Sequence, residues 1–364
     1  MTSTDNRACA ELTVILCTCN RAQSLTETLE SLTSSRLPRS VVWEVLVVDN
    51  NSTDQTRGLV EEFCRRYPGR FRYLLESKPG KSHALNAGIA SARGEVLVFV
   101  DDDVTVGPDW LQNLTAELLR NGEWAGVAGR ILPAHAFKLP PWLVWKYDDG
   151  AFRPDPLGIL CAHFDLGDEP KELNLDEAPY GANMALKRSA FAKYGGFRID
   201  LGPRPTSQIR GEDVEFGRRL MRAGERLRYE PSAVVYHPVP QGRITKEFFL
   251  SWWFDFGRAS IIERPDRPDI YGIPRDRLSL LRRLVDIFIL SLRGIFAVGA
   301  DKRFFCKCMV WRHAGMVAEL YRRSVRRNGR SRCQQENDTD KHKLTHGPTP
   351  SSSPDREAET ARRR

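Results

Sequence analysis

Apolar positions in the first hundred residues gather into short, nearly unbroken runs: residues 12–17 (LTVILC), 41–48 (VVWEVLVV) and 96–100 (VLVFV). Runs of this kind fit strands buried on both faces of a parallel sheet. A further strand is predicted over residues 71–75. Between the strands the pattern turns helical. Ser24-Leu25-Thr26-Glu27 reads as a capping box opening a helix to about Ser35. Asp54 can cap a helix carrying Leu59, Val60, Phe63 and Tyr67, stopped by Pro68-Gly69. Ser82 is read as the cap of an Ala-rich helix that ends before Gly94. Strands alternating with helices predict βαβ units and a mostly parallel sheet.

The second half is less regular. Pro108 suits the first turn of a helix to about Arg120, and residues 124–132 read as a strand. Residues 133–180, rich in Pro, Asp and Trp, are expected to form long loops where an acceptor could bind. Tyr180–Met184 precedes a short helix near residues 189–194. Gly211-Glu212-Asp213 starts a helix with Phe216 and Leu220 inward, and residues 227–237 form a last strand ending on His237.

The chemistry concentrates where the strand at 96–100 runs into Asp101-Asp102-Asp103. Ligands of open α/β sheets sit beyond the carboxyl ends of the strands. An extended chain turns Asp101 and Asp103 one way and Asp102 the other. Two hard oxygen ligands on one side suit Mg²⁺ or Mn²⁺ carrying phosphates; an acidic surface turn is the alternative. An EF-hand loop is excluded, because its glycine position is Val106 and its twelfth is Gln112. No G-x-G-x-x-G or Walker fingerprint follows the first strand.

Composition adds limits. With 364 residues, 41% of them hydrophobic, a sizeable core is available. The net charge of +8 is uneven: from Lys302 onward there are 16 Lys/Arg against 7 Asp/Glu, and before it 39 against 40. The body is neutral and the tail basic. Eight cysteines lie scattered without a C-x-x-C pair, so a zinc ribbon or thioredoxin-like motif is not supported. The polar N-terminus lacks an apolar signal core, and reduced thiols in a cytoplasmic setting are expected.

Taken in order, TVILCTCNR, VVDNNSTD, GKSHALNAG, FVDDDV, GAN, GEDVEF and VVYH, over about residues 12–240, resemble the family-2 glycosyltransferases of the GT-A fold. The resemblance implies a Rossmann-like α/β domain over residues 12–245, between an N-terminal tail (1–11) and a C-terminal helical region (246–325) with a disordered basic tail (326–364). It implies inverting transfer of a sugar from a nucleoside-diphosphate donor to a saccharide or lipid-linked acceptor, in cell-surface polysaccharide or glycolipid synthesis. Thr18, Asn20, Asp49, Lys81, Asp101, Asp102 and Asn183 would line the donor site. Asp103, Asp101 and His237 would hold Mn²⁺ or Mg²⁺. Asp213 would be the base, with Glu212 orienting it or holding the acceptor. For each residue a structural role competes: an Asx-turn for Asp49, a solvated loop charge for Lys81, helix capping for Glu212-Asp213. The processive signature Q-x-x-R-W is missing from QGRITKEFFLSWWFDFGR; Trp252, Trp253 and Arg258 there could meet an acceptor, with buried packing the safer reading for the tryptophans.

Residues 284–300 are too short and polar to span a bilayer and read as an amphipathic helix, docked on the body or lying in an anionic membrane interface at the inner face of the cell membrane. A basic cluster at 322–332 follows. Two other functions compete: a catalytically silent binding subunit, and a sugar-nucleotide pyrophosphorylase, for which CTCNRAQS lacks the glycines. No aromatic-interleaved motif supports nucleic-acid binding by the tail.

Overall fold

The computed structural model describes residues 11–120, 123–145, 155–205, 207–264 and 275–344, with side chains to residue 325. In its first part β1 (Leu12–Thr18), α1 (Ala22–Thr33), β2 (Trp43–Asp49), α2 (Thr56–Arg66), β3 (Phe71–Leu75), α3 (Lys81–Ser91) and β4 (Val96–Val100) alternate. β1 pairs in parallel with β2 and β4, and β2 with β3. The apolar runs explain this. Every residue of β2 and β4 is buried, and a strand covered on both faces needs apolar side chains in both directions. Thr18 stands opposite Asp49, and Leu16 opposite Val100, so three strand ends open on one edge.

The chain continues through β5 (Thr105–Val106), α4 (Trp110–Leu119), β6 (Trp124–Pro133), α5 (Pro156–Cys161), β7 (Lys171–Glu172), β8 (Asn183–Lys187), α6 (Arg188–Tyr194), α7 (Glu212–Arg222) and β9 (Arg226–His237). The sheet runs β3-β2-β1-β4-β8-β6-β9-β5, with β7 against β9. β8 enters antiparallel between β4 and β6, whereas β6 and β9 are parallel. The parallel arrangement expected from sequence therefore describes the first half, and the sheet as a whole is mixed. β8 escaped the sequence reading because Asn183-Met-Ala-Leu-Lys187 has no β-branched residue and reads as helix. Two glycines of β6 admit it: a Cβ at Gly126 would strike Leu186, and one at Gly129 would strike Asn183.

Two expected caps are corrected. α1 begins at Ala22, before Ser24, whose hydroxyl instead donates to the Arg21 carbonyl. α3 begins at Lys81, and Ser82 sits inside it, donating to the Leu201 carbonyl at 2.8 Å. At Ser82 a contact 119 residues away overrides the local capping pattern, and at Ser24 a local bond to the Arg21 carbonyl does so. Asp54 does act at a helix start: it accepts from Thr56 N and also from Ala22 N, tying the openings of α1 and α2 together.

After β9 come α8 (Lys246–Ile262), α9 (Arg275–Phe296) and α10 (Ala300–Leu344). Thr245 caps α8 by accepting from Phe248 N. α8 and α10 cross backbone to backbone. A Cβ at Gly257 would land on the Arg312 carbonyl oxygen, and one at Gly315 on that of Phe254. A second core, including Leu143, Leu160, Phe249, Trp253, Phe304 and Cys308, forms beside this crossing. Part of the expected 133–180 loop region is thus packed structure. The chain divides into two units, Met1–Glu319 and Leu320–Arg364. In the second, helix α10 runs to Leu344 through part of the expected disordered tail; residues 1–10 and 345–364 lie outside the described residues. No described helix is long and apolar enough to cross a membrane.

Candidate active site

The edge where β1, β2 and β4 end collects most of the residues singled out from sequence. Asp49 is buried; its Oδ1 accepts from Ser52 N at 2.8 Å and its Oδ2 from the Tyr73 hydroxyl at 2.9 Å. The first bond is the Asx-turn of the structural reading, and the second had no sequence signal. Burial, with the Asp49 bond, pushes the Tyr73 hydroxyl up to about 12. Asn20, in the left-handed region at φ +54°, accepts from Thr53 N and so locks the loop after β1 to the loop after β2. Asn50 joins a third loop: its amide donates to the Glu76 and Lys78 carbonyls and its oxygen accepts from Gly80 N. Gly80 holds φ +129°, a conformation that favours glycine.

The three aspartates follow β4 where the chain enters a turn at residues 102–103, in place of the extended strand end expected from sequence. Asp102 is buried beside Thr18, and burial pushes its carboxyl up to about 6 against the pull of Arg21. Lys81, at the first position of α3, brings Nζ to 2.6 Å from Asp101 Oδ1. Burial alone would lower the Lys81 ammonium, but Asp101, Glu212 and Asp213 together hold it above its usual value. For Asp101 burial works upward, while Lys81, His237 and Arg21 bring the carboxyl below its usual range. Arg21, a residue with no role assigned from sequence, bridges Asp102 at 2.9 Å and Asp103 at 3.1 Å.

Asp101, Asp103 and His237 each present one ligand atom, all within 4.8 Å of one another. Asp103 Oδ1 is buried without a hydrogen-bond partner and lies 3.5 Å from His237 Nε2. His237 Nδ1 is 2.8 Å from the Pro238 carbonyl, which can only accept. In the neutral ring that contact puts the proton on Nδ1 and leaves Nε2, the atom nearer Asp103, able to act as a ligand. Three adjacent carboxylates against Lys81 and Arg21 leave an excess of negative charge. An unpaired carboxylate oxygen, a free imidazole lone pair and that excess together fit a divalent cation.

Across the pocket, α7 opens with Glu212 and Asp213 behind Gly211 at φ +103°. Asp213 Oδ2 accepts from Gly181 N at 2.6 Å and Oδ1 from Val214 N at 2.8 Å, so two amides fix its plane. Glu212 is buried; burial first, then the Asp213 charge, pushes its carboxyl up to about 7. A Cβ on Gly202 would sit 3.4 Å from the Glu212 carboxyl carbon, which shows how closely that loop packs on it.

Four of the residues expected to meet a ligand are engaged in contacts of the fold. Asn183 spends its side chain on the fold. It accepts from Trp110 Nε1 at 2.9 Å and donates to the Arg130 and Ala233 carbonyls, both at 2.8 Å. Trp253 is 1% exposed inside the second core, and Trp252 stacks on Phe256, so packing claims both rings. Arg258 is taken by Asp255 at 3.1 Å and Glu319 at 3.3 Å.

With this geometry in place, comparison with known proteins decides the family. Residues 13–169 match the sequence model of Glycosyl transferase family 2. The succinoglycan biosynthesis protein ExoM of Rhizobium meliloti is 30% identical over 238 residues, 65% of this chain and 68% of that protein. The chain belongs to glycosyl transferase family 2. A second relative of this glycosyltransferase, the glucosyl-dolichyl phosphate glucuronosyltransferase of Haloferax volcanii, is 25% identical over 68% of the chain and 76% of its own length. Among solved structures, a mannosyltransferase from Pyrobaculum calidifontis in complex with GDP-Man and Mn²⁺ superposes with a TM-score of 0.54 at 21% identity, covering 85% of this chain and 87% of that one. The likeness places the fold among the GT-A glycosyltransferases, enzymes that use nucleotide-sugar donors in polysaccharide or glycoconjugate synthesis.

Proposed function

We propose that this glycosyltransferase is metal-dependent and inverting, and that it moves a sugar from a nucleoside-diphosphate donor to a hydroxyl of a saccharide, carried on a lipid at the inner face of the cell membrane. The observation that carries the proposal is the Asp101–Asp103–His237 cluster, beside a Lys81 that bonds Asp101 and also feels the Glu212 and Asp213 charges. Mn²⁺ or Mg²⁺ held by Asp101, Asp103 and His237 would neutralise charge growing on the departing diphosphate. An imidazole ligand suits the transition ion better than hard Mg²⁺.

The protein's own groups do the rest. Asp49, fixed by Ser52 N and Tyr73, faces the base or ribose, and the Lys81 ammonium lies within reach of the diphosphate. Asp213 takes the acceptor proton as the hydroxyl oxygen attacks the anomeric carbon. The bond to the diphosphate breaks on the opposite face, which inverts the anomeric centre. The amides of Gly181 and Val214 keep the Asp213 carboxylate from rotating out of line. Glu212, neutral or charged according to pH, holds Lys81 and Asp213 in register.

The test is calorimetric titration of UDP, dTDP and GDP into wild type and Asp103→Ala, with and without Mn²⁺. One nucleotide should bind in a Mn²⁺-dependent way, and Asp103→Ala should lose that dependence. Absence of nucleotide binding to the wild-type protein would overturn the reading.

A further inference from the structure

Helix α9 stands against the body on one side only. Its inward face is fixed by three contacts. Asp286 Oδ2 lies 3.3 Å from His313 Nδ1 of α10, Leu290 packs against the second core, and a Cβ on Gly294 would lie 3.3 Å from the Cys306 Cβ. The opposite face carries Leu278, Leu281, Leu284, Val285, Phe288, Ile289, Leu292, Ile295 and Phe296, every one at least 40% exposed. At 100° per residue these nine positions cover an arc of about 140° centred opposite Leu290. Exposure rises toward the end of the helix, reaching 71% at Ile295, 79% at Phe296 and 85% at Val298 just beyond it. A soluble monomer seldom leaves so long an apolar stripe in water.

Charge says what covers it. Arg282 and Arg293 are exposed along one border of the stripe, on neighbouring positions of the wheel. Arg303, one turn before Cys306, and Lys307 are exposed on the adjoining part of α10. The one acidic side chain among residues 278–298, Asp286, is turned inward to Arg283 and His313. An apolar face bordered by outward arginines, with its carboxylate withdrawn, matches a helix lying in the headgroup boundary of an anionic bilayer. An antiparallel symmetric pairing of two copies would bring the arginine borders to the same side of the seam, which disfavours that occupant.

We infer that the outer face of α9 is a membrane-docking surface for anionic lipid, inserted to the depth of Phe288, Ile295 and Phe296. This names the surface that would bring the pocket to a lipid-carried acceptor, and it rests on the proposed function only for that consequence. Docking itself requires neither donor nor metal.

The experiment is flotation of the full chain with vesicles of phosphatidylcholine alone, or of phosphatidylcholine with phosphatidylglycerol, at low and high salt. Wild type is compared with Phe288→Glu/Ile295→Glu/Phe296→Glu and with Arg282→Glu/Arg293→Glu. All substituted side chains lie on the exposed face, and circular dichroism melting checks that the fold persists. Wild type should float with anionic vesicles and less with neutral ones. The triple variant should lose at least tenfold in binding to both, and the arginine variant should lose mainly the anionic preference. Equal flotation of wild type and triple variant, or failure of wild type to float, would overturn the inference. So would a wild-type dimer by light scattering that becomes monomeric in the triple variant and ignores vesicles. Nucleotide titration in the absence of lipid separates failure here from failure of the donor-site reading.

Discussion

Asn183 gives a sharp test of whether its side chain serves the fold or the donor, through Asn183→Ala. In the structure the carboxamide accepts one hydrogen bond and donates two, all between 2.8 and 2.9 Å, two of them buried and that to Arg130 partly buried. Truncation removes three neutral hydrogen bonds, each worth about 1 kcal/mol net, and leaves the Trp110 N–H and two carbonyls unsatisfied. The combined loss is about 4 kcal/mol. For a body of roughly 300 residues the unfolding entropy near the midpoint is about 0.6 kcal/mol per degree, so Tm should fall by about 6 °C. The assay pairs a circular dichroism melt with nucleotide titration well below the transition. The expected result is a lowered Tm with nucleotide affinity within about twofold of wild type. An unchanged Tm together with lost affinity would refute the reasoning and return Asn183 to the donor site.

Asp213→Asn should keep nucleotide binding while reducing sugar transfer by about 10²–10⁴-fold, since only the proton acceptor is removed; a full rate in a donor–acceptor assay would exclude Asp213 as base. Glu212 has a folded-state pKa of about 7, above its ordinary value of 4.5, so the folded state holds the extra proton in between. Its contribution to stability is full below about pH 4.5 and is lost as pH rises through 7. Glu212→Gln should therefore flatten the Tm–pH curve across that window, and a parallel curve would contradict the burial argument. Gly315→Ala should force α8 and α10 apart and cost on the order of 1–3 kcal/mol, seen as a lower Tm. An unchanged melt would mean that the helices do not cross as closely as the Gly257 and Gly315 contacts indicate.

The parallel half of the sheet was legible because strands buried on both faces leave a direct trace in composition: VVWEVLVV and VLVFV have almost no other way to fold. β8 was not, because its place is decided by room left at Gly126 and Gly129 on a strand more than fifty residues earlier. Caps failed for the same kind of reason. Ser82 fits a cap locally, yet its hydroxyl is drawn to the Leu201 carbonyl 119 residues away. At the site, the pairing of Asp101 with Asp103 was readable from spacing, although residues 102–103 form a turn and not an extended strand end. The Arg21 bridge and the Tyr73 bond to Asp49 were not, since each joins separate βα units and follows no local rule. Packing was the safer sequence reading for Trp253, which is buried, whereas the Asp255 and Glu319 partners of Arg258 lie on helices whose meeting follows no local rule.

The position of β9 has a consequence for how the protein is made. His237 follows Asp103 by 134 residues along the chain and meets it only when the last strand of the sheet has docked. A ribosome adding about 5–20 residues per second exposes the aspartates roughly 7–27 s before the histidine exists. Over that interval the nascent chain can fold its parallel units but cannot assemble the three-sided cluster. Completion of the cluster therefore coincides with completion of the catalytic sheet, and a half-made chain presents two carboxylates already claimed by Lys81 and Arg21 in place of a finished cation site.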